Sequence, residues 1–545
     1  HRALAVMAAG GRHMHSFSRI LARGLLAAAL LAGVSGVAAA EMVLNRGNGA
    51  EPATLDPHKI EGNTEANIAT DLFEGLMTYG PKGDPVPGAA ESVTPSDDGL
   101  TYTFKLRADE KWSDGTPVTA ADFVFSWQRL VDPKTGSAYA YYLDPVVNAR
   151  EIREGQKPLD ALGVRAVDDR TFEVKLTAPT PYFVSSLVHQ STYAVSKANV
   201  EKFGGDFIKP GNLVSNGAYT LAEAVPQGYI KLVRNPQFHD AANVAIDTVM
   251  YFPTEDGGSE LQRFRAGELD ITFDLPSEQI PSLKKDIPEQ LHVVPFLATY
   301  FYAFNMTREP WKSSPELRQA LSLAVDRDVL IKNITQADQV PAYSFVPPGT
   351  DNFPAWTPEA AGMTQAQRDA RAKELYAKAG YGPDKPLKLT ITYNTSENHK
   401  RLAVAIAAMW KRTLGVDVTL NNEEWATFQS TRNKKEFPDV ARHGWFGDYN
   451  DAYTFLQLEL SDVGDQSTSG YANPKFDALM AQATKETDPK QRGALLQEAE
   501  KIMIADMPVL PLYFYTTKHA VSPAVKGWTD NVQDFHLSRW LSVAR

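Results

Sequence analysis

One apolar run decides where this chain works and, with that, what it can fold into. Leu25–Val37 is apolar, follows Arg19 and Arg23, and ends in Ala38-Ala39-Ala40 ahead of Glu41. A basic n-region, a short apolar h-region and small residues before the break mark a secretory signal peptide. The run falls short of the roughly 20 apolar residues that a spanning helix needs. Residues 1–40 are therefore expected to be upstream sequence and leader, with Met14 as the natural start. The mature chain is expected to begin near Glu41, outside the cytoplasm, with no anchor and out of reach of ATP or NADPH.

That compartment sharpens the meaning of the composition. Cysteine is absent, which excludes disulfide staples, thiol catalysis, thiolate metal sites and a lipidated cysteine. Residues 41–545 are enough for two or three domains at roughly 100–200 residues each, and a chain of that length buries a core without staples. The net charge of −11 repels phosphate backbones, so nucleic acid is not an expected partner.

Helix and strand signals alternate along the chain. Thr101–Leu106 reads as a strand with Tyr102, Phe104 and Leu106 on one face. Asp114-Gly115 is a turn, and Thr119 with Asp122 opens a helix over Ala120–Leu130 that presents Phe123, Trp127 and Leu130. Thr171–Leu176, Lys231–Arg234 and Val249–Phe252 add strands. Thr364 and Gln367 cap a helix that Gly380 ends. Lys388–Tyr393 then alternates as a strand, and a helix from about His399 to Leu414 carries Leu402, Ile406, Met409 and Trp410. Gly415 stops it before a strand at Val416, Val418 and Leu420. Strand, helix, strand predicts a parallel crossover within one α/β lobe. A second α/β lobe is expected around Asn212–Leu283, with a ligand cleft between the two. The apolar, β-like stretch Val509–Tyr515 is expected to return to the first lobe.

A search for reaction chemistry finds little. There is no phosphate loop, no His-Glu-x-x-His helix and no Gly-x-Ser-x-Gly elbow. Ser282-Leu283-Lys284-Lys285 matches Ser-x-x-Lys without its companion motifs, and Asp97-Asp98-Gly99 reads as a turn. The 11 histidines form no i, i+4 pair, so neither a metal nor another cofactor is expected. What remains is a cluster of charge and aromatics: Trp425, Arg432, then Arg442-His443-Gly444-Trp445-Phe446-Gly447-Asp448-Tyr449-Asn450. By itself it fits a solvated loop with an Arg–Asp pair and core tryptophans. It also fits a site wall, with an aspartate for an ammonium, arginines for a carboxylate and aromatics for apolar side chains. Those needs together describe a free peptide.

Several segments resemble one family. They are NGAEPATLDPHKIEGNTEANIATDLFEG at 48–75, KWSDGTPVTAADFVFSWQR at 111–129, VSNGAYTL at 214–221, TITYNTSENHK at 390–400 and VARHGWFGDYN at 440–450. Over essentially the whole mature chain the sequence resembles the periplasmic oligopeptide-binding proteins, soluble receptors of ABC peptide importers. The resemblance implies a periplasmic-binding-protein-like α/β fold: two α/β lobes with a hinge, plus an inserted domain. Domain I would take residues 41–73, 201–300 and 516–545, domain II 74–200, and domain III 301–515. The lobes would close on an extended peptide whose side chains enter wet pockets. Asp448 would pair with the ligand's α-amino group. Arg432, Arg442 and His399 would supply positive charge to C-termini of ligands of differing length. Glu61 would be a carboxylate near the cleft. Trp425, Trp445, Tyr142 and Tyr513 would wall pockets or contact the peptide backbone, and Asn394 is placed at the ligand as well. Partners would be oligopeptides and an inner-membrane ABC peptide permease, the receptor itself being a periplasmic monomer.

The sequence departs from the family pattern in places. Well-known members carry a disulfide in the third domain; here Phe446 and Ala298 stand at its two positions. Ile271-Thr272-Phe273-Asp274 replaces an amide-rich segment, and Asn63 a small apolar residue. Within the fold, a murein tripeptide or dipeptide receptor is an alternative. From other classes, a peptide-holding chaperone, a signalling receptor or a periplasmic peptide hydrolase are alternatives, the last lacking a nucleophile–base pair or metal triad.

Overall fold

The computed structural model describes residues 39–545; the expected signal peptide, with its run Leu25–Val37, lies outside the described residues. Three larger sheets organise Glu41–Arg545. The first has the order Val43–Gly47, Thr248–Phe252, Tyr229–Arg234, Tyr219–Val225, its first pair parallel and the others antiparallel. Leu44, Leu232, Val249 and Tyr251 fill its core with Ile68 and Leu72 from the helix Asn63–Leu72. The chain thus enters this sheet, leaves it for some 170 residues, and returns.

The departing segment forms an antiparallel sheet in the order Ala90–Pro95, Thr101–Leu106, Thr171–Lys175, Val164–Asp168. The helix Ala120–Val131 begins where Asp122 Oδ2 accepts the Thr119 N–H at 3.0 Å. Its fully buried Phe123 and Trp127 pack on Phe172, with ring centroids 5.7 and 5.1 Å apart. The apolar spacing of that helix is thus its core face.

The third sheet has six strands in the order Val340–Pro341, Val509–Thr516, Pro295–Phe304, Val440–Phe446, Lys388–Asn394, Asp417–Glu423. The last two run parallel, joined by the helix Glu397–Leu414, which Ser396 caps and Gly415 ends at φ +72°. Val509–Thr516 pairs with Pro295–Phe304 and Val340–Pro341 inside this same sheet, so it returns to the lobe that holds the strand–helix–strand passage. An unbroken apolar run is what a strand covered on both faces requires, and nearly every residue of both long strands is buried. Pro295–Phe304 crosses the boundary drawn at 300, and Val509–Thr516 crosses that at 515.

Ala298 and Phe446 are direct register partners in this sheet. Phe446 stacks on Phe296 with centroids 4.9 Å apart and meets Tyr515 edge-on at 5.3 Å. Aromatic packing fills the place of the absent staple.

Candidate functional site

A cavity of about 290 Å³ opens between the six-stranded sheet and loops and helix ends that flank the other two. Its wall is built on the strand Val440–Phe446, which alternates Arg442, Gly444 and Phe446 and then releases the chain through Gly447 to Asp448. Gln533 Nε2 donates to the carbonyls of Gly447 and Asp448 at 3.2 and 3.1 Å, so the C-terminal segment holds the turn in place.

Asp448 is 8% exposed. Its N–H donates to Thr454 Oγ1 at 3.2 Å. Tyr139 donates its hydroxyl to Oδ1 at 3.4 Å, and His189 Nε2 lies 3.3 Å from the same oxygen. Oδ2 is buried and accepts nothing. A buried carboxylate oxygen without a donor is costly, by roughly 1–3 kcal/mol or more, and an incoming cationic N–H removes that cost.

Two arginines face the same cavity without a carboxylate within ion-pair distance among the described residues. Arg442 donates from Nη2 to Tyr515 OH at 2.7 Å and from Nη1 to Asn394 Oδ1 at 3.3 Å, and lies 4.8 Å over the Tyr300 ring. Gly444 permits this: a Cβ there would stand 2.6 Å from Tyr515 OH and 2.9 Å from Arg442 Nη2. Arg432 lies 5.9 Å from the Trp425 ring and 5.5 Å from that of Phe428, and burial pulls its pKa down to about 10. Nε of both arginines is buried and unpartnered.

The facing wall comes from the start of the helix Asn63–Leu72 and the turn ahead of it. Glu61 accepts from Asn433 Nδ2 at 2.7 Å, and burial pushes its carboxyl up against the opposing pull of Asn433 and Arg432. Trp425 donates its indole N–H across the cavity to Glu65 Oε1 at 3.2 Å. A Cβ on Gly62 would stand 2.7 Å from Trp425 Cζ2, so this is a close approach of backbone to ring.

Asp448, Arg442, Arg432, His399, Glu61, Trp425, Trp445 and Asn394 all line the cavity. Three expectations change. His399 turns inward and bonds Tyr300 OH through Nδ1 at 3.0 Å, but burial, then Arg442 and Lys518, hold it well below its usual pKa. It is therefore neutral and not a source of positive charge. Tyr142 lies behind the wall: it donates to Ser186 O at 2.8 Å, stacks on His189 and lines a second cavity of about 270 Å³. Tyr513 stacks on Tyr300 at 4.7 Å and lines a smaller side cavity; Tyr515, on the same strand face, reaches the main one. Reading the sequence also missed Tyr139 and His189. Only the alternation of Val509–Thr516 carried a signal, for Tyr515; His189 sits in an irregular turn with none. Ser282 and Lys285 are exposed, away from the cavity.

Comparison with known proteins agrees with this geometry. Over 521 residues the chain is 45% identical to the periplasmic oligopeptide-binding protein OppA of Escherichia coli (strain K12), covering 94% of this chain and 95% of that one. It superposes on Haemophilus influenzae OppA in complex with RPPGFSPFR with a TM-score of 0.90, at 40% identity, covering 93% and 99% of the two chains. Against the unliganded open form of the periplasmic murein tripeptide binding protein MppA the TM-score is 0.66, at 42% identity, covering 93% and 98%. The lobe arrangement is thus that of the peptide complex, closed over the cavity. Residues 84–467 match the bacterial extracellular solute-binding proteins, family 5. With the fold, the walled cavity and these matches in agreement, the chain belongs to the bacterial extracellular solute-binding proteins of family 5.

Proposed function

We propose that this protein is a periplasmic receptor that captures oligopeptides in its closing cleft, largely independent of their sequence, and delivers them to an inner-membrane ABC permease. One observation carries the reading. A single cavity holds a carboxylate with an unpartnered oxygen, Asp448, and two buried arginines, Arg432 and Arg442, with no carboxylate within ion-pair distance among the described residues. An ammonium and a carboxylate on one ligand satisfy both, and every free peptide has these two groups. Affinity then rests on what all peptides share, and water in the remaining volume adapts to their side chains.

The receptor works as a monomer of three domains, one for each large sheet. The third runs from Pro295 to Thr516, and the first is assembled from the segments on either side of the other two. It binds without reacting, and its function is to close and be recognised closed.

Calorimetric titration with free and N-acetylated forms of one tetrapeptide tests this. Acetylation removes the ammonium and is expected to weaken binding by at least 100-fold, about 3 kcal/mol. Equal affinities would defeat the reading, as would cleavage products seen by mass spectrometry. A murein tripeptide presents the same charged ends, and its competition with the tetrapeptide measures how far the receptor favours either.

A further inference from the structure

No two histidines have metal-ligand spacing along the chain, yet the fold brings two together around an aspartate. His519 follows the central strand Val509–Thr516; Asp534 and His536 lie in the C-terminal segment. Asp534 sits between the two rings, with Oδ2 2.7 Å from His519 Nε2 and Oδ1 2.8 Å from His536 Nε2. One donor atom from each of the three residues lies within 4.8 Å of the others.

Both rings are held in place. A carbonyl can only accept, so the 2.9 Å contact between His519 Nδ1 and Thr272 O puts the proton on Nδ1. That leaves Nε2 as the atom offered to Asp534, the arrangement by which metal-binding histidines are oriented. Trp528 stacks on His536 at 3.5 Å between centroids and 12° between planes. The His519, Asp534 and His536 side chains are 11, 14 and 5% exposed, and all three line the side cavity of about 120 Å³. That cavity adjoins the main one, sharing Phe273, Asp274, His399 and Tyr515.

We propose that His519, Asp534 and His536 bind one divalent transition-metal ion of the Zn²⁺ class on the wall of the side cavity. Two imidazoles and a carboxylate suit Zn²⁺, Co²⁺, Ni²⁺ or Cu²⁺ and not the all-oxygen preference of Ca²⁺ or Mg²⁺. Three protein ligands leave a fourth position for water or a donor atom from the cavity. Tetrahedral donors on bonds of ~2.0 Å stand roughly 3.3 Å apart, so the two Asp534–imidazole contacts lengthen by about half an ångström while the imidazole nitrogens, within 4.8 Å of each other, adjust to the same spacing. The positive charges nearby are balanced. Arg46, which donates to His536 O at 2.7 Å, lies in the field of the buried Asp71, and Lys518 pairs with Asp274 at 3.1 Å.

The experiment titrates the EDTA-treated full chain with Zn²⁺ by calorimetry, followed by metal analysis after dialysis. Expected are one Zn²⁺ per chain and a visible d–d band when Co²⁺ replaces Zn²⁺. His536→Gln and Asp534→Asn should each weaken binding at least tenfold, while His292→Gln, at a partly exposed histidine paired with Asp530, leaves stoichiometry at one. Failure of the parent chain to take up stoichiometric Zn²⁺ would overturn the proposal. So would uptake that persists unchanged in His519→Gln/His536→Gln. Thermal melting monitors folding of each variant; if His519→Gln unfolds, His536→Gln carries the test, because its ring nitrogen bonds only Asp534.

Discussion

Asp448 and His189 meet at 3.3 Å through one oxygen of the carboxylate, and the other oxygen is left with no donor among the described residues. The residues lie far apart in sequence and reach the cavity from different sheets. Their pairing fixes the carboxylate's orientation while reserving half of its hydrogen-bonding capacity. Asp448→Asn keeps the shape and removes the charge. Calorimetry is expected to show free peptides bound more weakly by about 3 kcal/mol, with N-acetylated peptides little affected. Equal losses for both peptide forms would place the ammonium elsewhere.

Arg432 is a buried cation beside the Trp425 and Phe428 rings, with no carboxylate within ion-pair distance among the described residues and only the pull of Glu61 from farther off. Such a charge destabilises the empty protein, and replacing it with an apolar side chain of similar length is often neutral or stabilising. Arg432→Met should leave the unliganded Tm unchanged or higher. It should also weaken peptides with a free C-terminal carboxylate by about tenfold and spare their C-terminal amides. A lower Tm together with equal losses for acid and amide would assign Arg432 to packing alone.

Gly62 tests closure separately from chemistry. A methyl at this position meets the rigid Trp425 ring, so Gly62→Ala opposes the approach of the two walls. Every peptide, acetylated or not, is expected to lose affinity by the same factor, at least tenfold. Small-angle scattering should show a larger radius of gyration at saturating peptide than in the parent protein.

Glu459 is fully buried and receives the hydroxyls of Thr468 and Ser469; burial raises its carboxyl to about 7. Its folded pKa thus exceeds the ordinary value of 4.5, and between those limits the folded state binds more protons than the unfolded one. Its contribution is favourable below about pH 4.5 and is lost as pH rises through about 7. Denaturant titrations should find a fall in stability across that window, on the order of 3 kcal/mol from this group. Glu459→Gln should flatten it, and an unchanged pH slope in that variant would exonerate Glu459.

Local signals carried the elements well where the backbone itself makes the demand. The caps at Thr119 and Thr364, the stop at Gly415 and the apolar spacing from Leu402 to Trp410 all report on the chain's own hydrogen bonds and core face. Packing partners are a different matter. Val509–Thr516 is apolar in any lobe, and only its neighbours in the six-stranded sheet decide which one it joins. The same limit separates Tyr513 from Tyr515: they share a strand face and both line the side cavity, but only Tyr515 also reaches the main one. It also governs charge: His399 reads as a cation in isolation, yet burial beside Arg442 keeps it neutral. The grouping of Asp448 with Arg442 was visible because both lie on one strand and the turn after it, whereas His189 joins only through the tertiary fold.

The Ala298–Phe446 pair has a practical consequence. Where thiols would cross-link these strands, an aromatic ring wedges among Phe296 and Tyr515. Glutathione has nothing there to attack, and thiol-oxidising enzymes have nothing to complete. The strands therefore join by side-chain packing alone, so this receptor reaches the same native state whether it is made in a reducing or an oxidising medium.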